Sequence, residues 1–127
     1  MEHKERRQYP RYETNVGVTV LTADKKIAAH MIDISEGGIG VVSSEAIKSN
    51  TKVHIAIKLT GAYSIQGTVV WSSTFYDDGK NYYRIGIEIE RVILKDIKAI
   101  SFPEHPMLMR QILSEIKELG IKIVEKC

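Results

Sequence analysis

Apolar and polar residues alternate along the middle of the chain, between residues 15 and 90. The clearest alternation covers residues 52–59, where every second residue is Val, Ile or Leu and most of the others are charged or polar. A period of two is typical of a strand that buries one face. The pattern predicts six strands, separated by short polar turns, at residues 15–21, 27–34, 39–42, 52–59, 63–72 and 83–90.

The hydrophobic period changes to three and four after residue 91, which is typical of helix. One predicted helix carries Ile93, Leu94, Ile97 and Ile100 and ends before Pro103. A second begins at Pro106 and ends at Gly120, and its apolar stripe is Met109, Ile112, Ile116 and Leu119. This stripe has two interpretations, a lid packed on the strands or a seam for a dimer or partner helix.

Six short strands in succession favour an antiparallel barrel or sandwich. We therefore predict an all-β core, a six-stranded antiparallel β-barrel, followed by two C-terminal α-helices. The predicted organisation is one domain over residues 1–127. It comprises a flexible arginine arm (residues 1–14), the barrel (residues 15–90) and a helical C-terminal extension (residues 91–127).

Composition narrows the class of protein. The chain has 127 residues, of which 43% are hydrophobic and 27% charged, as in an ordinary folded domain. Its net charge of +2 argues against bulk coating of nucleic acid, and its one cysteine, Cys127, excludes an internal disulfide. No apolar run has the length of a membrane span, and no secretion signal is evident. We expect a cytoplasmic protein that does not insert into membranes.

Arginine is unevenly distributed. Arg6, Arg7 and Arg11 fall within six residues of an otherwise balanced chain, beside Pro10, which disfavours helix. A guanidinium donates two parallel hydrogen bonds to phosphate or to the O6 and N7 atoms of guanine. The cluster therefore indicates recognition of a small anion, although a solvated basic tail is the alternative.

A second polar motif, Asp33-Ile34-Ser35-Glu36-Gly37-Gly38, interrupts the strands between residues 27–34 and 39–42. The Asp33 carboxylate can accept from the two N–H groups on the edge of guanine, and Ser35 can donate and accept. Glycine lets a ligand approach the backbone closely. An ordinary turn is the alternative interpretation, because Asp, Ser and Gly are common turn residues.

Taken together and in this order, the two motifs resemble those of the PilZ family, bacterial domains that bind the second messenger cyclic di-GMP. The family pattern is RxxxR, here Arg7 to Arg11 with Arg6 as an extra basic residue, then [D/N]xSxxG, here Asp33 to Gly38. Residues 67–71 and 83–87 also look like later strands of that family. The resemblance covers roughly residues 5–90.

The resemblance implies a non-enzymatic cyclic di-GMP receptor without a cofactor. Arg7 and Arg11 would contact phosphates and guanines with Arg6 assisting, Asp33 and Ser35 would read a guanine, and Gly38 would leave room for it. The ligand would order the arm and so alter a surface seen by an unidentified downstream protein. The sequence leaves open whether the chain is a monomer or a homodimer.

Three other functions are less well supported by the sequence. A PilZ-like adaptor that binds a protein without nucleotide is the main alternative. A single-stranded nucleic-acid binder would need aromatic and basic residues interleaved on one strand face, and Trp71 suits a core or rim position better. No nucleophile or acid–base group suggests an enzyme, and the four histidines do not have metal-ligand spacing.

Overall fold

The computed structural model describes residues 10–95 and 105–126. These residues form seven strands and one helix. In chain order they are β1 (Arg11–Leu21), β2 (Lys26–Ile34), β3 (Gly38–Ser43), β4 (Lys52–Lys58), β5 (Ala62–Asp77), β6 (Lys80–Leu94), α1 (His105–Glu118) and β7 (Val124–Lys126).

The first six strands form a closed ring. Their order is β2-β3-β6-β5-β4-β1, β1 pairs again with β2, and every pairing is antiparallel. Closure removes the free edges that an open sheet of this size would expose. The prediction of six antiparallel strands in an all-β core is therefore confirmed, and β7 adds a short seventh strand beside β1.

The interior of the ring is filled by the alternating apolar residues. Val20, Met31, Val41, Ile55 and Ile65 are all 0% exposed. Alternation places these side chains on one face of each strand, and burial of that face selects the register between strands. The strand cores were predictable because their hydrophobic period is regular.

Helix α1 covers one end of the ring through Met109, Ile112 and Ile116, each of which is 0% exposed. This packing confirms the lid interpretation for most of the stripe, whereas Leu119, after the end of the helix, is 51% exposed. We call the region formed by α1 and the β4–β5 turn the helix-covered end.

A polar contact also holds the helix-covered end. The Glu115 carboxylate accepts from the Gly61 N–H (2.9 Å) and from the Tyr63 hydroxyl (2.7 Å), and Gln111 donates to Tyr63 (2.9 Å). Burial and the bond to Glu115 raise the pKa of Tyr63 above its usual range. Burial alone would raise the pKa of Glu115, but the bonds from Gly61, Tyr63 and Gln111 outweigh it and hold that pKa below its usual value.

Several predicted boundaries are wrong: β5 continues to Asp77, β6 begins at Lys80, and the sheet begins before residue 15. Strand β1 begins at Arg11, so residues 11–14 belong to the sheet and not to the arm; Tyr12 pairs with Ile34, and Glu13 pairs with Val124 of β7. The prediction failed because this stretch is polar, while its strand conformation comes from partners distant in sequence.

The predicted start of the first helix is also wrong. Strand β6 continues through Ile93 and Leu94, which pair with Ser64 and Tyr63 of β5. Cross-strand pairing overrides the short run of helical spacing. The rest of that predicted helix lies outside the described residues, which contain one helix where two were predicted. Within residues 10–95 and 105–126 no helix is long and apolar enough to cross a membrane.

Candidate functional site

An open pocket of about 370 Å³ lies on the outer face of the ring, where the β2–β3 turn meets β5 and β6. This volume is within the range of small-molecule sites. One wall comes from β1 and the β2–β3 turn, and the other from β5 and β6. The lining residues are Arg11, Ser35, Gly37, Gly38, Ile39, Val70, Trp71, Gly86, Ile87 and Glu88.

Arg11 and Asp33 form an ion pair at the wall that comes from β1 and the β2–β3 turn. The Arg11 guanidinium donates to Asp33 Oδ1 at 3.0 Å, and the two side chains are 31% and 16% exposed. The two motifs are 22 residues apart in sequence, and the pairing of β1 with β2 brings them together. Asp33 lies behind Arg11 and is not itself part of the pocket wall.

Asp33 faces outward because of a β-bulge. Ile27, Ala29 and Met31 point into the core, so strict alternation would also bury Asp33. The register between β2 and β3 shifts between Met31 and Asp33, which leaves Ile32 as the extra residue. A single extra residue reverses the faces, so Ile34 enters the core and the carboxylate lies outside.

A β-bulge on β5 also turns Trp71 outward. Ile65 and Val69 point inward, and strict alternation would bury Trp71 as well. The register with β6 shifts between Val69 and Trp71, so Val70 is the extra residue and the indole faces outward. Val70 and Trp71 are 48% and 45% exposed, which makes this corner an accessible apolar wall.

Two glycines lie between Asp33 and Trp71. Asp33 pairs with Gly40, Gly40 with Gly86, and Gly86 with Trp71, so the four residues form one row across β2, β3, β6 and β5. A Cβ at Gly40 would lie 3.0 Å from Asp33 Oδ1, and a Cβ at Gly86 would overlap Trp71 Nε1. This row, which we call the glycine row, lets the carboxylate and the indole lie flat against the sheet.

Ser35 shapes the turn beside the pocket. Its hydroxyl accepts from the N–H groups of Gly37 (3.3 Å) and Gly38 (3.2 Å) and donates to the Gly38 carbonyl (3.3 Å). Its backbone N–H donates to the same carbonyl at 2.9 Å. The side chain is therefore engaged within the turn, as the alternative interpretation from sequence expected.

Gly38 lies tightly against β6. A Cβ at this position would be 3.0 Å from the Ile87 carbonyl oxygen, closer than nearly all real contacts of that kind. The glycine thus allows β3 to begin directly beside β6, and the Gly37 carbonyl accepts from the Ile89 N–H at 3.1 Å. A side chain at position 38 would therefore crowd this strand contact.

The pocket is electrostatically polarised. Arg11 supplies a cation on one wall, while Glu88, an exposed carboxylate on β6, lies on the other wall, two residues from the Gly86 that pairs with Trp71. An anionic group is attracted to the Arg11 side and repelled from the Glu88 side, where hydrogen-bond donors are favoured. Such a pocket suits a ligand with a phosphate at one end and a planar N–H-bearing ring at the other.

The family model for the PilZ domain matches residues 5–102 of the chain. The chain belongs to the PilZ domain family. No curated protein sequence matches it significantly.

Solved PilZ proteins share this fold. The PilZ domain of YcgR from Escherichia coli with c-di-GMP has a TM-score of 0.64 at 15% identity, covering 90% of this chain and 94% of that one. The inhibitor of motility MotI/DgrA of Bacillus subtilis has a TM-score of 0.61 at 20% identity and coverage of 94% and 57%. The K. pneumonia MrkH–c-di-GMP complex has a TM-score of 0.66 at 14% identity and coverage of 91% and 54%. This PilZ chain thus spans little more than half of MotI and MrkH.

The structure places the predicted site residues as follows. Arg11, Ser35 and Gly38 line one pocket, and Asp33 contacts Arg11 directly behind it. Arg6 and Arg7 lie outside the described residues. The PilZ motifs therefore converge as far as the structure describes them.

Sequence reasoning missed the opposite wall of the PilZ pocket. Trp71 was interpreted as a core or rim residue; it does lie at the rim, and there it forms the wall of the pocket. Gly40, Gly86 and Glu88 were not singled out. A signal was present, because Trp71 continues the period of the inward-facing Ile65 and Val69, and glycine inside a strand often marks a bulge or a close contact.

Proposed function

We propose that this PilZ domain is a non-enzymatic receptor for cyclic di-GMP. The observation that carries the proposal is the meeting of the two motifs, Arg11 on Asp33, at a pocket whose other wall is an exposed tryptophan. The cyclic di-GMP bound by the YcgR and MrkH structures supports this ligand.

Each wall of the pocket has a role in the proposed complex. Arg11 binds a phosphate, together with Arg6 and Arg7 of the RxxxR arm. Trp71 stacks on a guanine, which base–aromatic stacking favours whatever the base. The carboxylate of Glu88 lies on the same side and accepts from the N–H edge of that guanine.

Binding also exchanges partners at Asp33. While Arg11 is paired with Asp33, the two charges neutralise each other. A phosphate that takes the guanidinium releases the carboxylate, which is then free to accept from a guanine. Ser35 supports this exchange by holding the turn, and Gly38 supports it by letting the turn lie against β6.

Signalling follows from the position of the C-terminal segment. Residues Arg11–Glu13 pair with β7, and Arg110 of α1 donates to Glu36 of the β2–β3 turn at 2.9 Å. Both ligand motifs therefore contact α1 or β7. Ordering of the arm by the ligand alters this surface, and a downstream protein reads the change.

Calorimetric titration with cyclic di-GMP tests the proposal. Arg7→Ala and Asp33→Ala should each weaken binding about 10- to 150-fold, because each removes a charge-assisted contact of about 1.5–3 kcal/mol. Arg91→Ala is the matched control, since Arg91 is an exposed strand arginine outside the pocket wall. No heat from the unmodified chain at high micromolar ligand would refute the receptor and favour the protein adaptor.

A further inference from the structure

In the part of the chain that the structure describes, strand β5 has a long open edge. Strand β4 pairs with β5 only over Ala62–Thr68, and Val69 completes that edge by bonding to Asn50 and Thr51. On its other side β5 stays paired with β6 as far as Asp77. Among the described residues, no backbone group is bonded to the β4 side of β5 from Val70 to Asp77.

The hairpin geometry identifies the open backbone groups. Asp78 and Gly79 have φ values of 50° and 79°, as in a two-residue turn, so Asp77 and Lys80 are a hydrogen-bonded pair. Hydrogen-bonded and non-hydrogen-bonded pairs alternate from there along the ladder. The residues that direct their N–H and C=O groups to the open edge are therefore Ser72, Thr74 and Tyr76.

Within residues 10–95 and 105–126, this edge lacks the usual protection against pairing. Residues 67–76 contain no charged residue and no proline, whereas exposed edges in soluble proteins usually carry lysine, proline or a covering segment. The edge also carries large exposed side chains, with Tyr76 71% and Trp71 45% exposed. A two-stranded ribbon of this kind gains stability when a third strand is added.

We propose that the open edge of β5 pairs antiparallel with the same edge of a second copy of this chain. A two-fold axis at Ser73 sets Ser72 opposite Thr74 of the partner subunit, and Val70 opposite Tyr76 of the partner subunit. The open N–H and C=O groups of Ser72 and Thr74 then bond to each other across the axis, and the two rings join into one continuous sheet.

The side chains favour this register. With the axis at Ser73, the outward-facing Trp71 lies opposite the partner's Phe75, an aromatic cross-strand pair that occurs twice in the dimer. Moving the axis by one residue to Thr74 instead sets Trp71 opposite the charged Asp77. Small residues at the axis, Ser73 and its neighbours, avoid steric conflict between the two copies.

The proposed dimer contributes to the ligand pocket. Trp71 is one wall of that pocket, and the partner's Phe75 would extend the aromatic surface beside it. Self-pairing is nonetheless independent of the ligand, because the hydrogen bonds involve the backbone of residues 70–76 only. Its tests use the protein without nucleotide, so they succeed or fail separately from the proposed receptor function.

Sedimentation equilibrium of the full chain measures the pairing. We expect a reversible monomer–dimer equilibrium, and Thr74→Pro should weaken it about ten-fold or more, because it removes one open N–H from each copy without touching the bonds to β6. Thr74→Val keeps that N–H and is the matched control. Far-ultraviolet circular dichroism establishes that both variants fold.

A cysteine cross-link tests the register. Ser73→Cys, made together with Cys127→Ser, places two thiols on the axis in a non-hydrogen-bonded pair, within disulfide range. Oxidised glutathione should oxidise the two protein thiols to one intermolecular disulfide. The oxidised glutathione is itself reduced to two molecules of glutathione. Ser72→Cys in the same background is the control and should cross-link much more slowly.

Four results would overturn the proposal. The first is a chain that stays monomeric up to about 0.5 mM. The second is a dimer that is unaffected by Thr74→Pro, which would place the interface on another surface. The third is equal cross-linking at positions 72 and 73. A monomeric chain whose Val70–Asp77 edge binds a strand of a different protein would also exclude self-pairing.

Discussion

The glycine row and the helix-covered end belong to the same ring of strands, but the first is partly open to solvent and the second is closed by packing. At the helix-covered end, α1 buries Met109, Ile112 and Ile116 completely, and the polar groups beneath it are paired with one another. At the glycine row, two positions carry no side chain, and Asp33 and Trp71 lie over the gaps, partly exposed.

We therefore expect the helix-covered end to determine the stability of the fold and the glycine row to determine ligand binding. Apolar groups that are fully buried contribute most to the free energy of unfolding. Exposed groups placed over glycine contribute little to that energy, but they leave room for a ligand and an ion pair that a ligand can exchange. Substitutions at the two regions should therefore have different consequences, and this expectation can be tested.

The largest effect is expected at the helix-covered end. Ile112→Ala should lower the free energy of unfolding by about 2–5 kcal/mol, because it leaves a cavity under α1. Urea denaturation followed by circular dichroism measures the loss. The folded fraction should bind cyclic di-GMP with the affinity of the unmodified chain. A loss of affinity in folded protein would show that binding depends on the packing of the helix-covered end.

The second effect concerns the glycine row. Gly86→Ala should weaken cyclic di-GMP binding by about 1–3 kcal/mol, because the new Cβ displaces the Trp71 indole on which we propose a base stacks. Calorimetry measures the affinity. Gly17→Ala is the matched control, since a Cβ there meets nothing within 4 Å. Equal affinity of Gly86→Ala and Gly17→Ala for cyclic di-GMP would show that Trp71 does not contact the ligand.

The third effect depends on pH. Glu115→Gln should cost about 1–2 kcal/mol of unfolding free energy at neutral pH, because it weakens the bonds from Gly61 and Tyr63. The pKa of Glu115 is lowered from 4.5 in the fold, so its stabilisation is complete above that pH and is lost as the pH falls through the lower folded value.

Urea denaturation at pH 7 and at pH 3 measures this dependence. Acidification should reduce the difference in unfolding free energy between the unmodified chain and Glu115→Gln. Glu118 is an exposed carboxylate on the same helix, and Glu118→Gln should leave the unfolding free energy unchanged at both pH values. A difference that stays constant with pH would show that the charge of Glu115 does not stabilise α1.

The smallest effect is expected at the contact between α1 and the β2–β3 turn, which lies beside the glycine row. Arg110→Ala should change the free energy of unfolding by about 0–1 kcal/mol, because the guanidinium is 59% exposed and solvent screens its ion pair with Glu36. Thermal unfolding at low and at high salt measures the change. A loss above about 2 kcal/mol would mean that the β2–β3 turn belongs to the stabilised part of the molecule.

The regular parts of the fold were predictable from sequence. Alternation identified the six strands of the ring, and the stripe of Met109, Ile112 and Ile116 identified α1, because burial of one face imposes a period that local sequence displays. The paired motifs around Arg11 and Asp33 also identified the family, since the spacing of RxxxR and DxSxxG is a property of the chain itself.

The outward direction of Asp33 and Trp71 was not predictable in this way. A regular period would bury both residues, and two bulges, at Ile32 and Val70, turn them to the surface. A bulge leaves no periodic signal, because it depends on how a neighbouring strand is paired. The row of Gly40 and Gly86, the contact of Arg110 with Glu36, and the open edge of β5 depend likewise on residues distant in the chain. Local periodicity thus determined most of the elements and the core, and motif spacing determined the family, whereas strand pairing alone decided which side chains meet at the pocket.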